Sequence, residues 1–326
     1  MRRYPDQTNA PEPVAVAAAA TDRLPHLKHA RDWQSLLYML AFPTLVIWQW
    51  RHGFSVILYA ALLFLTLGIG VIHHNHTHLR MWRSKRANRI TDLAITLLQG
   101  HPSCVFFPTH VANHHRHKHG KKDLARTYRF AAGDTNNLAG YLLHPFQAIG
   151  ALYPGIYGWL GRLRRHRPGV WRYCLLQYAA WLALWVSLLA LNPGKALVLV
   201  IIPQLHGLHW LLATNYLQHA HADSSAESRA GKPLFMYARN FEGWVNPLLF
   251  NIGLHTAHHQ HSRAHWSQLP RLHAQHYRHR THPALIERGL VRYMVRTFVL
   301  GTLSPRFRSQ SLMRVGPDGS VPSISG

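Results

Sequence analysis

Cysteine and acidic side chains are scarce in this chain, and each scarcity excludes some classes of protein. Only two of the 326 residues are cysteine, Cys104 and Cys174, and they form no CxxC pair. This argues against a zinc ribbon, a rubredoxin-type iron centre and a secreted disulfide scaffold. The chain has 12 acidic against 36 basic residues, a formal net charge of +24. A balance this basic suggests an anionic partner: nucleic acid, an anionic lipid surface or an acidic protein.

Hydrophobic residues make up 48% of the chain, and they gather into long runs with the charges between them. The runs cover residues 33–50, 54–72, 171–191 and 196–217. A helix needs about 20 apolar residues to cross the core of a bilayer, so each run predicts a transmembrane helix. Because only short turns join the first run to the second and the third to the fourth, the runs predict two antiparallel hairpins.

Basic residues orient the predicted spans. The segment 73–170 carries 15 Lys and Arg and the chain from 218 onward carries 13, whereas the two short turns carry one each, Arg51 and Lys195. The positive-inside bias then predicts that both termini and the long middle segment are cytoplasmic. Basic flanks also attract anionic lipid headgroups, so the net charge does not require a nucleic acid.

The pattern as a whole predicts an all-α integral membrane protein with four transmembrane helices and a cytoplasmic helical cap. Apolar stretches within 90–99 and 138–163 are too short or too interrupted to span, and they predict helices lying at the membrane interface. We expect one membrane domain at 31–300. Residues 1–30 and 301–326 are predicted to be disordered tails.

Histidine is abundant, with 28 residues, and five fall within the thirteen-residue stretch LHTAHHQHSRAHW at 254–266. A metal site, a His-rich basic surface and a proton-relay or pH-sensing cluster could each explain this. The densest groups are HHNHTH (73–78), HVANHH (110–115), NYLQHAH (215–221) and HTAHH (255–259). All four lie on the predicted cytoplasmic side.

The spacing of these histidines favours a metal site. Residues i, i+3 and i+4 share one face of a helix, which holds for His74 with His78, His110 with His114, and His255 with His258 and His259. The second histidine of an HH pair is turned by about 100° from the first, so such a pair can reach two different ions. Neutral imidazole suits Fe, Zn, Cu and Ni. The pattern predicts a dinuclear all-nitrogen site, to which His219 and Asn215 could add a ligand and a hydrogen-bonded water.

In order and topology, HNHTH, HVANHH, NYLQH and HTAHH resemble the histidine boxes of the membrane fatty acid desaturases and their hydroxylase relatives. The resemblance covers roughly residues 33–290. It implies a di-iron oxidoreductase that uses O2 to oxidise an unactivated C–H bond in a lipid acyl chain, carried as an acyl lipid or an acyl thioester. Two iron ions are the implied cofactor, and no catalytic residue separate from the metal ligands is expected. The implied ligands are His74, His78, His110, His114, His115, His219, His255, His258 and His259, with Asn215 holding a water.

Several alternatives stay open at this point. His73 or His76 could complete the first box, His117 and His119 blur the second, and His221 or His261 could replace a neighbour. One of the acidic residues Asp134, Asp223, Glu227 and Glu242 is expected to orient a metal-bound histidine.

Desaturation is the favoured reaction, because the box spacing is most like that of desaturases and Gln218 stands where alkane hydroxylases would carry an acidic residue. Hydroxylation of a lipid, alkane or carotenoid is the alternative. The chain has neither a fused haem domain nor an iron–sulfur CxxC pair, so electrons must come from a separate donor of ferredoxin, rubredoxin or cytochrome type. A His-rich metal transporter or sensor would need ligands along the spans, which hold only His206 and His209.

Overall fold

The computed structural model describes residues 26–128, 135–223 and 234–313, and these residues are mostly helical. Seven helical segments come first: α1 Trp33–His52, α2 Val56–His78, α3 Lys85–Gln99, α4 (π-helical Phe107–His114 continued by His115–His117), α5 Leu138–His166, α6 Pro168–Leu191 and α7 Pro193–His219.

The remainder of the described chain consists of shorter elements: β1 Asn240–Phe241, α8 Val245–Leu248, α9 His255–Gln260, α10 (Leu269–Leu272 continued by His273–Tyr277), β2 Ile286–Glu287 and α11 (Leu290–Met294 continued by Val295–Leu300 and Gly301–Leu303). The strands β1 and β2 pair in parallel, with Asn240 opposite Ile286.

Three helices of the described chain are long and apolar enough to cross a membrane: α2, α6 and α7. They correspond to the second, third and fourth predicted runs. The helix α1 covers the first run and exposes Trp33, Leu37 and Leu40, but it is not among the three. The four-span topology and its orientation therefore remain predictions.

Small residues let α2 approach α1 and α7 closely. A Cβ atom at Gly207 of α7 would lie 2.9 Å from Thr66 Cβ and 3.0 Å from the Thr66 carbonyl oxygen of α2. A side chain at Gly68 would overlap the ring of Tyr38 from α1. Close backbone approach of this kind packs helices together where a hydrophobic driving force between them is weak.

The helices α3 and α5 lie against the hairpin of α6 and α7. Tyr173 of α6 donates a 2.6 Å hydrogen bond to the carbonyl of Arg89 in α3, and Gln204 of α7 donates a 2.8 Å bond to the carbonyl of Leu97. The imidazole of His209 in α7 lies 3.2 Å from the carbonyl of Leu142 in α5. These contacts surround one side of α7, while the depth of α3 and α5 in a membrane remains a prediction.

The chain after α7 is held to α1 by a buried aromatic group. Phe250 packs edge-on between the rings of Tyr38 and Trp266, at centroid distances of 5.1 and 5.3 Å. The indole of Trp266 donates a 3.1 Å hydrogen bond to the carboxylate of Asp32, just before α1. Because α9 lies between Phe250 and Trp266 in the sequence, this packing fixes α9 against the end of α2.

Arg239 holds the carboxyl end of α7 to the same region. Its guanidinium is buried and donates hydrogen bonds of 2.8 and 3.0 Å to the carbonyls of Leu217 and Ala220. It also lies 4.9 Å from the centre of the Tyr293 ring. A cation at this position satisfies carbonyls that a helix end leaves unpaired, and it fixes the helical turn that carries His219.

The predicted tails fall mostly outside the described residues. Where the structure describes them, Leu27 bridges to Trp82, and the backbone N–H of Leu312 donates to the carbonyl of His221. The domain boundaries at 30 and 301 remain predictions.

Candidate metal centre

Nine buried or half-buried histidines from four segments form two adjoining groups. We call His74, His78, His110, His115 and His258 the five-His cluster, and His114, His219, His255 and His259 the four-His cluster. Within each cluster the candidate ligand nitrogens lie within 4.8 Å of one another. The structure thus brings together the nine residues that the histidine boxes imply as ligands, while metal binding by them remains a proposal.

Helical spacing explains the grouping on α2 and α9. His74 and His78 are one turn apart on α2 and share the five-His cluster, as their spacing predicts. On α9, His255 and His259 are one turn apart and share the four-His cluster, whereas His258 points to the other cluster. The adjacent pair His258 and His259 is therefore divided between the two groups, as expected for neighbours turned by about 100°.

The second box differs from the α-helical expectation. His110 and His114 were expected to share a face, but His114 lies in the four-His cluster while His110 lies with His115 in the other. This segment is π-helical, and its i→i+5 hydrogen bonding brings residues five apart close together. The Nε2 atoms of His110 and His115 are accordingly 3.1 Å apart.

The distances between ring nitrogens fit shared metal ions. Nε2 of His255 lies 3.1 Å from that of His219 and 3.0 Å from that of His259, and Nε2 of His258 lies 3.1 Å from that of His115. Metal–imidazole bonds of about 2.1 Å, the length found at zinc, put two nitrogens about 3.0 Å apart when the bonds meet at a right angle. The spacing therefore suits neighbouring ligands of one ion in each cluster.

Buried nitrogens without a hydrogen-bond partner point to the same conclusion. Nε2 of His74, His78 and His114 is buried without a partner among the described residues. Buried polar atoms are normally hydrogen-bonded, so each exception needs an explanation. A metal ion in each cluster would supply the missing partner.

Three of the nine rings are oriented through their other nitrogen. Nδ1 of His114 lies 2.6 Å from a carboxylate oxygen of Asp123, Nδ1 of His219 lies 2.7 Å from the Tyr237 carbonyl, and Nδ1 of His74 lies 3.1 Å from the Asn75 side-chain oxygen. An acceptor at Nδ1 keeps the proton there and leaves Nε2 free to bind metal. The tautomer follows here from the partner, as it does at most protein metal sites.

Asp123 was missed by the sequence reasoning, which proposed four other carboxylates. Asp134 and Glu227 lie outside the described residues, and Glu242 binds His273 and Arg278 instead. Asp223 is buried, with its backbone N–H bonded to the Met236 carbonyl. The only signal for Asp123 was its position shortly after the second box, across a basic loop.

Asp123 is fully buried and is held ionised by its neighbours. Burial by itself would raise the pKa of this carboxyl, but His114, the Ala125 N–H at 2.8 Å and the neighbouring His119 ring lower it below its ordinary value. The backbone N–H of His119 also donates to this carboxylate at 2.8 Å. A buried carboxylate with several donors is stabilised in its charged form. It can therefore accept the Nδ1 proton of His114 in a hydrogen bond at all physiological pH values.

Burial also keeps five of the cluster histidines neutral. It lowers the pKa of His110, His115, His255, His258 and His259 well below the ordinary value, and the neighbouring rings lower it further. A histidine must be neutral to bind a metal. These rings are thus ready to act as ligands near neutral pH.

The alternative box residues lie outside both clusters and have other partners. Nδ1 of His73 is 2.6 Å from Gln99 Oε1, while Nδ1 of His76 accepts a 3.2 Å bond from the Met81 N–H. Nδ1 of His221 lies 2.7 Å from the hydroxyl of Ser309, and Nε2 of His261 lies 2.6 Å from that of Tyr277. His119 stacks on His219 at 5.3 Å without joining the four-His cluster, and His117 is in neither cluster.

Comparison with protein families matches residues 48–297 to the family described as fatty acid desaturase. The chain belongs to the fatty acid desaturase family. Membership of this desaturase and hydroxylase superfamily makes the protein an oxidoreductase of lipids. Together with the three apolar helices, it indicates an integral membrane protein. No curated protein and no solved structure gave a significant match.

Beside the clusters, this desaturase-family protein has a cavity of about 410 Å³. Its wall includes His74 and His110 of the five-His cluster and His255 of the four-His cluster. Apart from these rings the lining is mainly aliphatic and aromatic, with Trp181 and Trp185 from α6. The volume lies within the range of about 300–1,000 Å³ that is usual for a ligand pocket.

Asn215 also lines this cavity, one helical turn before His219. Its side-chain amide donates a hydrogen bond to the carbonyl of Ala125, two residues after Asp123. That bond uses the NH2 group and leaves the side-chain oxygen of Asn215 as a candidate acceptor. Its expected role in holding a water remains a proposal.

Two of the three histidines within α7, His206 and His209, have structural partners outside the clusters. Nδ1 of His206 lies 3.0 Å from the hydroxyl of Thr66, and Nε2 of His209 bonds to the Leu142 carbonyl. Each ring joins α7 to a neighbouring helix, as expected for polar groups that face the interior of a helix bundle. They offer no path of ligands along the spans, so a metal transporter gains no support from them.

Proposed function

We propose that this protein is a di-iron enzyme that uses O2 to oxidise an unactivated C–H bond of a lipid acyl chain and introduces a double bond. The observation that carries the proposal is the wall shared between the two histidine clusters and the apolar cavity. Iron bound in the clusters would supply the activation of O2 that such a C–H bond requires. No other residue of the described chain needs to act as an acid, base or nucleophile.

The two clusters would each bind one iron through neutral imidazole. Five nitrogens face one position and four face the other, and no carboxylate belongs to either group among the described residues. Asp123, the backbone carbonyl of Tyr237 and the side chain of Asn75 lie at Nδ1 of three of the rings, which would leave Nε2 of each ring to bind the metal. Asn215 at the cavity wall is proposed to hold a water beside the four-His cluster, where fewer protein ligands are present.

The cavity would hold the acyl chain beside the irons and exclude water from them. Its lining contains no Lys, Arg, Asp or Glu within the described segments. Contacts with an apolar wall replace the contacts with other lipid chains that an alkyl chain gives up when it enters the cavity. Water is disfavoured there because such a wall provides few hydrogen-bond partners. Desaturation and hydroxylation both need this arrangement, so analysis of the product must distinguish them.

We further propose that α1, α2, α6 and α7 all span the membrane, with both termini and the clusters in the cytoplasm. The excess of Lys and Arg in segments adjoining the clusters supports this orientation. Electrons are proposed to come from a separate donor protein. Any assay of activity must therefore include a competent reductase system.

Expression in a host of defined lipid composition tests the proposal. We expect aerobic cells carrying the native chain and a donor system to contain an unsaturated lipid that is missing from cells carrying His258→Ala. The matched control is His261→Ala, because His261 bonds Tyr277 and lies outside the clusters. An unchanged lipid profile with the native chain, or a purified protein that holds stoichiometric zinc rather than iron, would contradict the proposal.

A further inference from the structure

The cavity beside the clusters opens to the outside at an apolar part of the surface. Of the cavity-lining residues in the described segments, the exposed ones are Ile149 of α5, 42% exposed, and Leu205 of α7, 50% exposed. The two helices are in contact where His209 bonds the Leu142 carbonyl, one turn from Leu205 along α7 and two turns from Ile149 along α5. Since the two exposed lining residues belong to α5 and α7, we place the opening between these helices and call it the α5–α7 portal.

The surface around the α5–α7 portal is apolar on both helices. Leu143 and Phe146 are exposed on α5, and Leu197 and Ile202 are exposed on α7. Exposed apolar residues on two neighbouring helices mark a surface that is covered by a partner or by lipid. Since α7 is one of the three candidate membrane helices, lipid chains are the medium that the portal faces.

A substrate carried by a water-soluble thioester would need a different entrance. Such carriers bear phosphates or other anionic groups, which proteins bind with Arg and Lys. No Lys, Arg, Asp or Glu of the described residues lines the cavity. The portal thus suits an uncharged hydrocarbon chain arriving from neighbouring lipids.

A second cavity, of about 190 Å³, does have basic residues, since Arg288 and Arg292 line it. It is separated from the cluster cavity by side chains that line both. These side chains are Trp210, Thr214, Gln218 and Ile252, and all four are buried. An anionic headgroup bound beside the arginines would be cut off from the clusters by this partition, so the second cavity is the weaker candidate for the entrance.

We infer that the substrate is a lipid resident in the bilayer, whose acyl chain enters sideways through the α5–α7 portal. The inference rests on the proposed lipid oxidation and adds the form in which the chain is delivered. It excludes a soluble acyl thioester as the direct substrate. The residues that flank the portal then control access to the clusters without touching them.

Photochemical labelling of the iron-loaded protein in phospholipid nanodiscs tests the inference without requiring turnover. One probe is a phosphatidylglycerol with a diazirine on its acyl chain, and the other is the same acyl group as a coenzyme A thioester. We expect the phospholipid probe to label Trp210 and Thr214, which are buried and out of reach of surrounding lipid. The thioester probe should not label them.

Tryptophan substitutions at the portal provide the matched comparison. Leu205→Trp and Ile149→Trp should reduce the labelling of Trp210 and Thr214 several-fold. Leu37→Trp, at an exposed apolar position of α1 that belongs neither to the cavity lining nor to the surface around the portal, should leave it unchanged.

The inference is overturned if the phospholipid probe does not label these buried residues, or if both portal variants are labelled like the native chain. Labelling only by the thioester probe would make the second cavity the entrance. If the phospholipid labels the cavity as expected and no oxidised lipid is ever formed, the portal stands and the proposed reaction is wrong. The two proposals can therefore fail separately.

Discussion

Replacing Asp123 by Asn is the most informative perturbation of the candidate centre. The carboxylate accepts hydrogen bonds from His114 Nδ1 and from the backbone N–H groups of His119 and Ala125. An asparagine has one acceptor oxygen, so its NH2 group must face at least one of these donors. If it faces His114, the ring moves its proton to Nε2, and that nitrogen can no longer bind metal.

The size of the effect follows from the role of such partners. Loss of a group that orients a metal-bound histidine lowers metal affinity or activity by about 10- to 100-fold, which corresponds to about 1.4–2.7 kcal/mol. His114 belongs to the four-His cluster, where three other rings remain. We therefore expect Asp123→Asn to lower the iron affinity of that cluster by this factor and to leave the five-His cluster nearly unchanged.

The assay is iron content after equilibration with a series of chelators, with Asp92→Asn as the control. Asp92 is also an acidic residue near a histidine, but it pairs with Arg80 and lies 3.5 Å from His76, outside both clusters. The native chain and the control should release iron at the same chelator strength, whereas Asp123→Asn should lose about half of its iron at a weaker chelator. Retention of both irons with native affinity in a folded Asp123→Asn variant would refute the reasoning.

Three further predictions test the clusters and the fold. His258→Ala should remove the iron of the five-His cluster and His259→Ala the iron of the four-His cluster. Elemental analysis should then find part of the iron in each single variant and none in the double variant. Complete loss of iron in both single variants would show that the two clusters form one indivisible site. Arg239→Met should lower the free energy of unfolding by about 3 kcal/mol, because hydrogen bonds from a charged group are worth about 1.5–3 kcal/mol, and an unchanged denaturant midpoint would contradict this. Burial lowers the pKa of His101 and His144 to about 4, so as the pH falls the unfolded chain takes up protons at these residues before the folded chain does. The metal-free protein should therefore lose stability as pH falls from about 6.5 toward 4. Each residue accounts for up to about 3 kcal/mol of the stability present above that range. A melting temperature that does not fall between pH 7 and pH 5 would show that these rings are not held neutral.

The helical architecture and the identity of the candidate ligands could be read from the sequence because both depend on local patterns. Long apolar runs predict helices at α2, α6 and α7, where the structure has them. The spacing of His74 with His78, and of His255 with His259, places each pair on one helical face. Such patterns repeat with the period of the helix and need no knowledge of the rest of the fold.

The assignment of each histidine to a cluster depended on backbone geometry that the spacing does not reveal. HVANHH has the α-helical spacing that would pair His110 with His114, yet its π-helical hydrogen bonding pairs His110 with His115. A sequence pattern read with a fixed period of 3.6 residues has no means of detecting that change.

The sequence by itself determined that this chain has apolar helices, few cysteines and an ordered series of histidine boxes, and these were enough to recognise the desaturase family. Only the tertiary structure decided that Asp123 orients His114, that Gln218 and Trp210 help to separate two cavities, and that the exposed residues of the cluster cavity's lining are Ile149 of α5 and Leu205 of α7. Helix periods and composition are properties of neighbouring residues. Contacts between distant segments are set by how the helices pack, and a linear pattern does not specify that packing.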